Sequence, residues 1–118
     1  MSRQASEADG PSWGGMDGFD KLLEHRVRLA ICVILARNDA VNFQRLKTLL
    51  AETDGSLGAH LKKLEASSYL RVRKQFQDRK PISWYRLTKQ GRMALETHLK
   101  ALESLIRQGT PEGAKPGA

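Results

Sequence analysis

The chain has 118 residues, about the size of one domain, so we expect a single hydrophobic core and no multidomain organisation. Lys and Arg total 20 against 13 Asp and Glu, and this net charge of +7 favours a polyanionic partner such as nucleic acid. The single cysteine, Cys32, excludes an internal disulfide and a cysteine-rich metal site, and no run of 18 apolar residues could span a membrane.

Both ends of the chain are poor in apolar residues. Residues 1–18 contain four of the ten glycines, and residues 109–118 read GTPEGAKPGA. Segments of this composition cannot bury enough apolar surface to order themselves. We therefore expect flexible tails at 1–18 and 109–118 around one domain at 19–108. The N-terminal sequence has no basic start followed by an apolar stretch, so we expect no signal peptide and a cytoplasmic protein.

The domain begins with an apolar segment from Phe19 to Arg37. Its apolar residues cover nearly all sides of a helix, which predicts one helix buried on two sides. Asn38 and Asp39 end this helix. Asn42 is a typical N-cap, and it predicts a second, short helix over Phe43 to Ala51.

A third helix follows within a few residues. The segment Thr53 to Ser56 supplies an N-cap, and Leu57, Leu61 and Leu64 recur at helical spacing through Ala66. The three leucines are expected to face the core.

The period then changes from helix to strand. In two successive segments the inward-facing residues recur at every second position, and the two segments predict the strands of a hairpin. Their inward positions are Leu70, Val72 and Phe76 in the first strand and Ser83, Tyr85 and Leu87 in the second. The residues from Gln77 to Pro81 are expected to form the linker between the strands.

A final helix is expected after the hairpin, capped by Thr88 and running to about residue 107. The predicted order is helix, helix, helix, hairpin, helix. This is a mainly α fold with a small β-hairpin, in the α+β class.

The positive charge is concentrated in one stretch. From Lys62 to Arg92 ten basic residues stand against two acidic ones, a net charge of +8, whereas the rest of the chain carries −1. A solvated charged surface is the alternative interpretation, but this asymmetry exceeds what solubility requires and indicates a nucleic-acid contact.

Three segments in this order resemble the winged helix-turn-helix transcriptional regulators of the broad MarR and ArsR type, particularly the small stand-alone group. They are HRVRLAICVIL at 25–35, TDGSLGAHLKKLEASSYL at 53–70 and QDRKPISWYRLTKQGR at 77–92. The resemblance implies a winged-helix fold, with Phe43 to Ala51 as the supporting helix and Thr53 to Ser67 as the recognition helix.

Two residues depart from the pattern of the family. Ser68 stands where relatives usually have Gly, and Gly58 stands where a small polar residue is common. A Ser held at positive φ would cost about 1 kcal/mol, and a Gly within a helix about the same relative to Ala.

The outer face of the third helix is expected to enter the major groove of double-stranded DNA. The residues predicted to contact DNA there are Ser56, Ala59, His60, Lys62 and Lys63. Ser56 would read a base or help to cap the helix, and His60 would pack at the core edge or reach a phosphate. The two lysines would contact phosphates or water. This face has no Arg, Asn or Gln, the residues that best form bidentate hydrogen bonds with bases, so direct readout of the DNA sequence should be sparse.

The hairpin, or wing, is expected to add contacts through a second basic set. These residues are Arg71, Arg73, Lys74, Arg79 and Lys80. Arg79 at the tip would enter a narrow minor groove, where the negative potential is enhanced. Asp78 is expected to form the turn or to orient Arg79.

The first and last helices carry more apolar surface than one small core requires, which predicts a two-fold homodimer. The predicted interface residues are Leu22, Leu23, Leu95, Leu99, Leu102 and Ile106. The alternative is a long helix that folds back on its own core.

The sequence has no nucleophile paired with a base, no glycine-rich phosphate loop and no metal motif, so we predict neither an enzyme nor a cofactor. Cys32 is expected to be an inert buried thiol.

The predicted function is a dimeric transcription regulator that represses by occupying a promoter. A non-specific architectural DNA-binding protein and a protein-interaction module are the alternatives. Such regulators can bind a small-molecule effector, but no residue here identifies one.

Overall fold

The computed structural model of the chain describes residues 17–109. The elements are a 3₁₀ helix Lys21–Glu24, α1 Arg26–Ala36, β1 Val41–Asn42, α2 Phe43–Leu50, α3 Asp54–Ala66, β2 Leu70–Gln77, β3 Lys80–Leu87 and α4 Lys89–Gln108. This is the predicted fold of helices and a wing hairpin. Apart from residues 17, 18 and 109, the predicted tails lie outside the described residues, and the domain limits stay a prediction.

Side-chain caps begin three of the four α-helices at predicted positions. The Asn42 side chain accepts a hydrogen bond from the Arg45 amide over 2.8 Å and begins α2. The Thr53 hydroxyl accepts from the Ser56 amide and begins α3, and the Thr88 hydroxyl caps α4 in the same way. These bonds satisfy amides that have no partner within the helix.

The prediction of a single helix from Phe19 to Arg37 is wrong. The chain forms the 3₁₀ helix, turns at His25 in an extended conformation, and then forms α1. Nδ1 of His25 accepts a hydrogen bond from the Val27 amide over 3.1 Å. The polar caps Asp20 and His25 divide a segment whose apolar pattern is continuous, because each satisfies the free amides of a new helix start.

The sheet has three antiparallel strands in the order β1-β3-β2. The sequence did not predict β1, which pairs Val41 with Tyr85 and Asn42 with Trp84. The predicted linker from Gln77 to Pro81 is too long, because the strands are joined by only two residues, Asp78 and Arg79. Both have positive φ, 52° and 67°, as a type I′ hairpin turn requires.

The core lies between the helices and the base of the sheet. The three predicted inward leucines of α3, Leu57, Leu61 and Leu64, are at most 1 % exposed. They pack with buried residues of α1, α2, β2 and α4, namely Val27, Ile31, Cys32, Leu35, Leu46, Leu70 and Leu95. Helix α3 is therefore fixed to the body along one full face.

Helix α4 approaches the start of the hairpin closely at Gly91. A Cβ atom there would lie 2.3 Å from the Tyr69 carbonyl oxygen, so only glycine fits. The Thr88 hydroxyl also donates to the Ser68 carbonyl over 2.6 Å. These contacts connect the base of the wing to α4 and limit how the wing can tilt relative to α3.

Candidate nucleic-acid interface

The outer face of α3 is open to solvent. Ala59, Lys62 and Lys63 are exposed, as the helical period predicts. Positions 55 and 58 are glycines, and a Cβ atom at either would meet no atom within 4 Å. The backbone of this helix can therefore come close to a partner at its N-terminal half.

Ser56 is less free to read a base than the sequence indicates. Its amide donates to the Thr53 hydroxyl, and its own hydroxyl donates to Oε1 of Glu52 over 2.5 Å. The hydroxyl hydrogen is thus used within the protein. The Glu52 carboxylate also places a negative charge at the start of the recognition helix, where it would oppose a phosphate.

His60 lies against α1 and the turn before it. Its Nδ1 atom is 3.1 Å from a terminal nitrogen of Arg28, and its ring centroid is 4.3 Å from that of His25. Because a guanidinium only donates hydrogen bonds, Nδ1 of His60 accepts this one. Burial, and then the neighbouring His25 and Arg28, lower the pKa of His60.

Arg28 was not among the residues that the sequence singled out. Its Nε atom donates to the Leu22 carbonyl over 2.7 Å while its other end contacts His60. One side chain thus joins the 3₁₀ helix, α1 and α3. The partners lie 6 and 32 residues away, and no local pattern could have revealed the second contact.

The strand register separates the wing cations into two faces. Arg71 pairs with Arg86, and Arg73 pairs with Trp84, so Arg71 and Arg73 share one face. Lys74 pairs with Ser83 on the opposite face. Basic side chains therefore lie on both sides of the wing.

The remaining predicted wing cations lie at its end. Arg79 occupies the turn, whereas Lys80 is the first residue of β3 and pairs with Gln77. Both are exposed. Asp78 is the other turn residue, with φ 52°, which agrees with the predicted turn-forming role.

The cations of α3 and the wing form no ion pairs within residues 17–109. The salt bridges found there are Lys47 to Asp54 at 2.8 Å and Arg107 to Glu103 at 3.4 Å. The excess charge therefore remains available to an anionic partner across α3 and the wing.

The family follows from comparison with known proteins. A family model described as "Winged helix DNA-binding domain" matches residues 27–106. The chain belongs to this winged helix family. The match covers α1, both helices of the helix-turn-helix, the wing and most of α4, and it confirms the resemblance inferred from the sequence.

Similar proteins support this winged helix assignment. An uncharacterized protein of Methanocaldococcus jannaschii is 30 % identical over 87 residues, which cover 74 % of this chain and 95 % of that protein. The structure of a transcriptional regulator homologue from Pyrococcus horikoshii has a TM-score of 0.72 and 25 % identity, covering 80 % of this chain and 92 % of that one. The structure of MarR shares the fold with a TM-score of 0.58 and 18 % identity, and the match covers 75 % of this chain and 67 % of that one.

Two predicted interface residues of this winged helix chain lie inside its own core. Leu23 is 0 % exposed and Leu95 is 4 % exposed, so neither can offer a partner much surface, and this part of the predicted interface is wrong. Both belong to the buried cluster that also contains residues of α1, α3 and the base of the sheet. Leu99 and Ile106 are exposed, whereas Leu22 and Leu102 are partly buried.

A cleft of about 630 Å³ lies between Phe19, Tyr69 and the first half of α4. The Tyr69 hydroxyl donates to the Asp20 carboxylate, and the Asp20 amide donates to Nδ1 of the buried His98 over 3.0 Å. Burial, and then the Asp20 hydrogen bond, raise the pKa of Tyr69 to about 12. These bonds hold the residues before α1 against α4.

Cys32 is buried, and burial followed by the charge of Asp20 raises the pKa of its thiol to about 12. Within residues 17–109 no three His, Cys, Asp or Glu side chains are placed to hold a metal ion. In the same range, no helix is long and apolar enough to cross a membrane.

Proposed function

We propose that this winged helix protein is a homodimeric, sequence-specific transcription regulator of the cytoplasm, which represses by occupying promoter DNA. The observation that carries the proposal is the set of exposed basic residues on α3 and the wing, on a chain whose family is DNA-binding. The similarity to a transcriptional regulator homologue from Pyrococcus horikoshii supports the regulatory role.

In this proposal α3 lies in the major groove. Lys62 and Lys63 contact phosphates, and the open backbone at Gly55 and Gly58 lets the helix approach the base edges. Ala59 would contact the methyl group of a thymine. His60, through its bond to Arg28, positions the helix more than it reads bases.

The wing would lie along the adjacent minor groove. Arg79 projects from the turn and would enter the groove, while Arg71, Arg73, Lys74 and Lys80 would contact the flanking phosphates from the two faces of the hairpin. Specificity would then come largely from the shape of the DNA.

The dimer would form through α4 around Leu99, Leu102 and Ile106, with Leu22 at its edge. Leu99 is 42 % exposed and Ile106 is 71 % exposed, and both continue the apolar stripe of the helix beyond the core. A two-fold axis there would place two copies of α3 on an inverted repeat.

The test is fluorescence anisotropy with labelled DNA from upstream of the protein's own gene and a shuffled duplex, over a salt series. The six cations placed at phosphates on each protomer make about twelve contacts per dimer, so log K should fall against log salt with a slope of about −11. Tighter binding to the native duplex at physiological salt supports the specific regulator. No binding at low salt would refute the DNA-binding function.

A second candidate function, a non-specific architectural DNA-binding protein, is favoured by one observation. The hydroxyl of Ser56, the strongest base-reading candidate, is already bonded to Glu52. Equal, steeply salt-dependent affinity for the native duplex, the shuffled duplex and a set of random duplexes would support this second function.

A further inference from the structure

Phe76 near the end of the wing is 80 % exposed, the highest exposed fraction among the large apolar side chains of the described residues. It stands on the same face of β2 as Leu70, which is 2 % exposed. At roughly 3.3 Å per residue the two lie about 20 Å apart, so Phe76 lies far beyond the core. The stability of the core does not account for an aromatic ring at this position.

The surroundings of Phe76 are cationic. It pairs across the hairpin with Pro81, and the neighbouring pair on the same face is Lys74 with Ser83. Arg79 follows in the turn, and Asp78 is the one acidic residue from 70 to 87. An apolar pair surrounded by positive charges is complementary to a polyanion that exposes apolar edges. The wing of a second copy is also positively charged and would be repelled.

We propose that Phe76 and Pro81 form an apolar DNA contact that packs against the deoxyribose sugars lining the minor groove beside Arg79. The proposal rests on the proposed function and adds a contact that the cations do not provide. Apolar side chains such as Phe and Pro are used in this way by proteins that bind the minor groove. The contact would favour sequences whose minor groove can accept the ring, and it would contribute to shape readout.

This contact has a signature that separates it from the cations. Removal of a cation lowers the steepness of the salt dependence by about 0.9 for each lost phosphate contact. An apolar contact releases no counterions when it forms. Its removal should therefore lower the affinity by the same factor at every salt concentration.

The experiment compares the wild-type chain with Phe76→Ala and Phe76→Leu on a fluorescein-labelled 30-base-pair A·T-rich duplex. Phe76→Ala should weaken binding about tenfold without changing the slope, since most of the value of burying the ring is lost. Phe76→Leu should recover most of the affinity. Met93→Ala is the matched control, because Met93 is 57 % exposed on α4 and is not among the proposed DNA contacts, and it should bind like the wild type.

Several results would overturn the proposal. They are unchanged affinity in Phe76→Ala, a reduced salt slope, or a lowered unfolding temperature that accompanies the loss of binding. Conversion of a dimer to a monomer by Phe76→Ala in sedimentation would assign the ring to a second copy of the chain. If the wild-type chain binds no duplex at low salt, the proposed function itself fails. Unchanged binding in Phe76→Ala alone leaves that function intact.

Discussion

His60 of α3 accepts a hydrogen bond from Arg28 of α1, and this bond exists only while Nδ1 is unprotonated. Protonation would remove this bond and place a positive charge beside Arg28, with His25 and Lys63 nearby and only Glu52 in opposition. The fold therefore favours the neutral ring.

This preference predicts a pH dependence of stability. The pKa of His60 is lowered from 6.5, so below that pH the unfolded chain binds more protons at this site than the folded chain does. The stabilisation is complete above pH 6.5 and is lost as the pH falls below it. His60→Gln keeps an acceptor for Arg28 but cannot titrate, so its stability should fall less between about pH 7 and pH 5.

The measurement is guanidinium unfolding followed by circular dichroism over this pH range. The wild-type chain is the matched control, since every other titrating group is shared between the two proteins. Parallel pH profiles of the two proteins would contradict a contribution of His60.

At the scale of elements, the end of α3 contains a strained residue. Ser68 has a φ of 67°, and its amide bonds to the Glu65 carbonyl as the chain turns into β2. The sequence predicted this strain, because glycine is the residue that adopts a left-handed conformation at little cost. The turn sets the angle between the recognition helix and the wing.

Ser68→Gly should stabilise the domain by about 0.5–1 kcal/mol, since relief of the left-handed strain exceeds the greater chain entropy of glycine in the unfolded state. Urea unfolding measures the change. Ala66→Gly, two residues earlier and still helical, is the control and should destabilise by about 1 kcal/mol. Destabilisation by Ser68→Gly would show that the serine side chain matters more than the backbone strain.

The sequence predicted those elements that local chemistry determines. The Asn42, Thr53 and Thr88 caps and the inward leucines of α3 follow from side-chain type and spacing alone. Strand β1 could not be predicted, because two residues have no period and pair only after β3 is in place. The break at His25 was hidden by the apolar residues on either side.

In the candidate interface, too, the features set by local sequence could be predicted and those set by tertiary contacts could not. The exposure of Lys62 and Lys63 follows from the helical period. The partners of Ser56 and His60 do not, because Glu52 lies outside α3 and Arg28 is brought close by packing of α1. The solvent exposure of a helix face is determined by residue spacing along the helix. Whether a polar side chain on that face is free to bind a partner depends on its tertiary contacts.

At the scale of the whole molecule, the basic surface and the apolar stripe of α4 occupy different regions. The net charge of +8 lies between Lys62 and Arg92, which includes the wing and the C-terminal end of α3. Exposed apolar residues continue along α4 at Leu99 and Ile106. A dimer through α4 would leave both basic surfaces free to bind one DNA molecule together.

This arrangement predicts that assembly and DNA affinity change together. Leu99→Glu combined with Ile106→Glu places carboxylates in the proposed apolar interface, where burial of unpaired charge is costly. The variant should sediment as a monomer at micromolar concentration, whereas the wild-type chain sediments as a dimer. Leu49→Glu is the control, because Leu49 is 47 % exposed on α2 and lies outside the proposed interface.

DNA binding gives an independent readout of the same variant. A monomer retains about six phosphate contacts, so its salt slope should be about −5.4, half that of the dimer. Its affinity should also fall, because the second half-site no longer benefits from a high effective concentration. A wild-type chain that sediments as a monomer would contradict the dimer. A double variant that stays dimeric would move the interface away from α4, since two charges could not be accommodated in an apolar contact there.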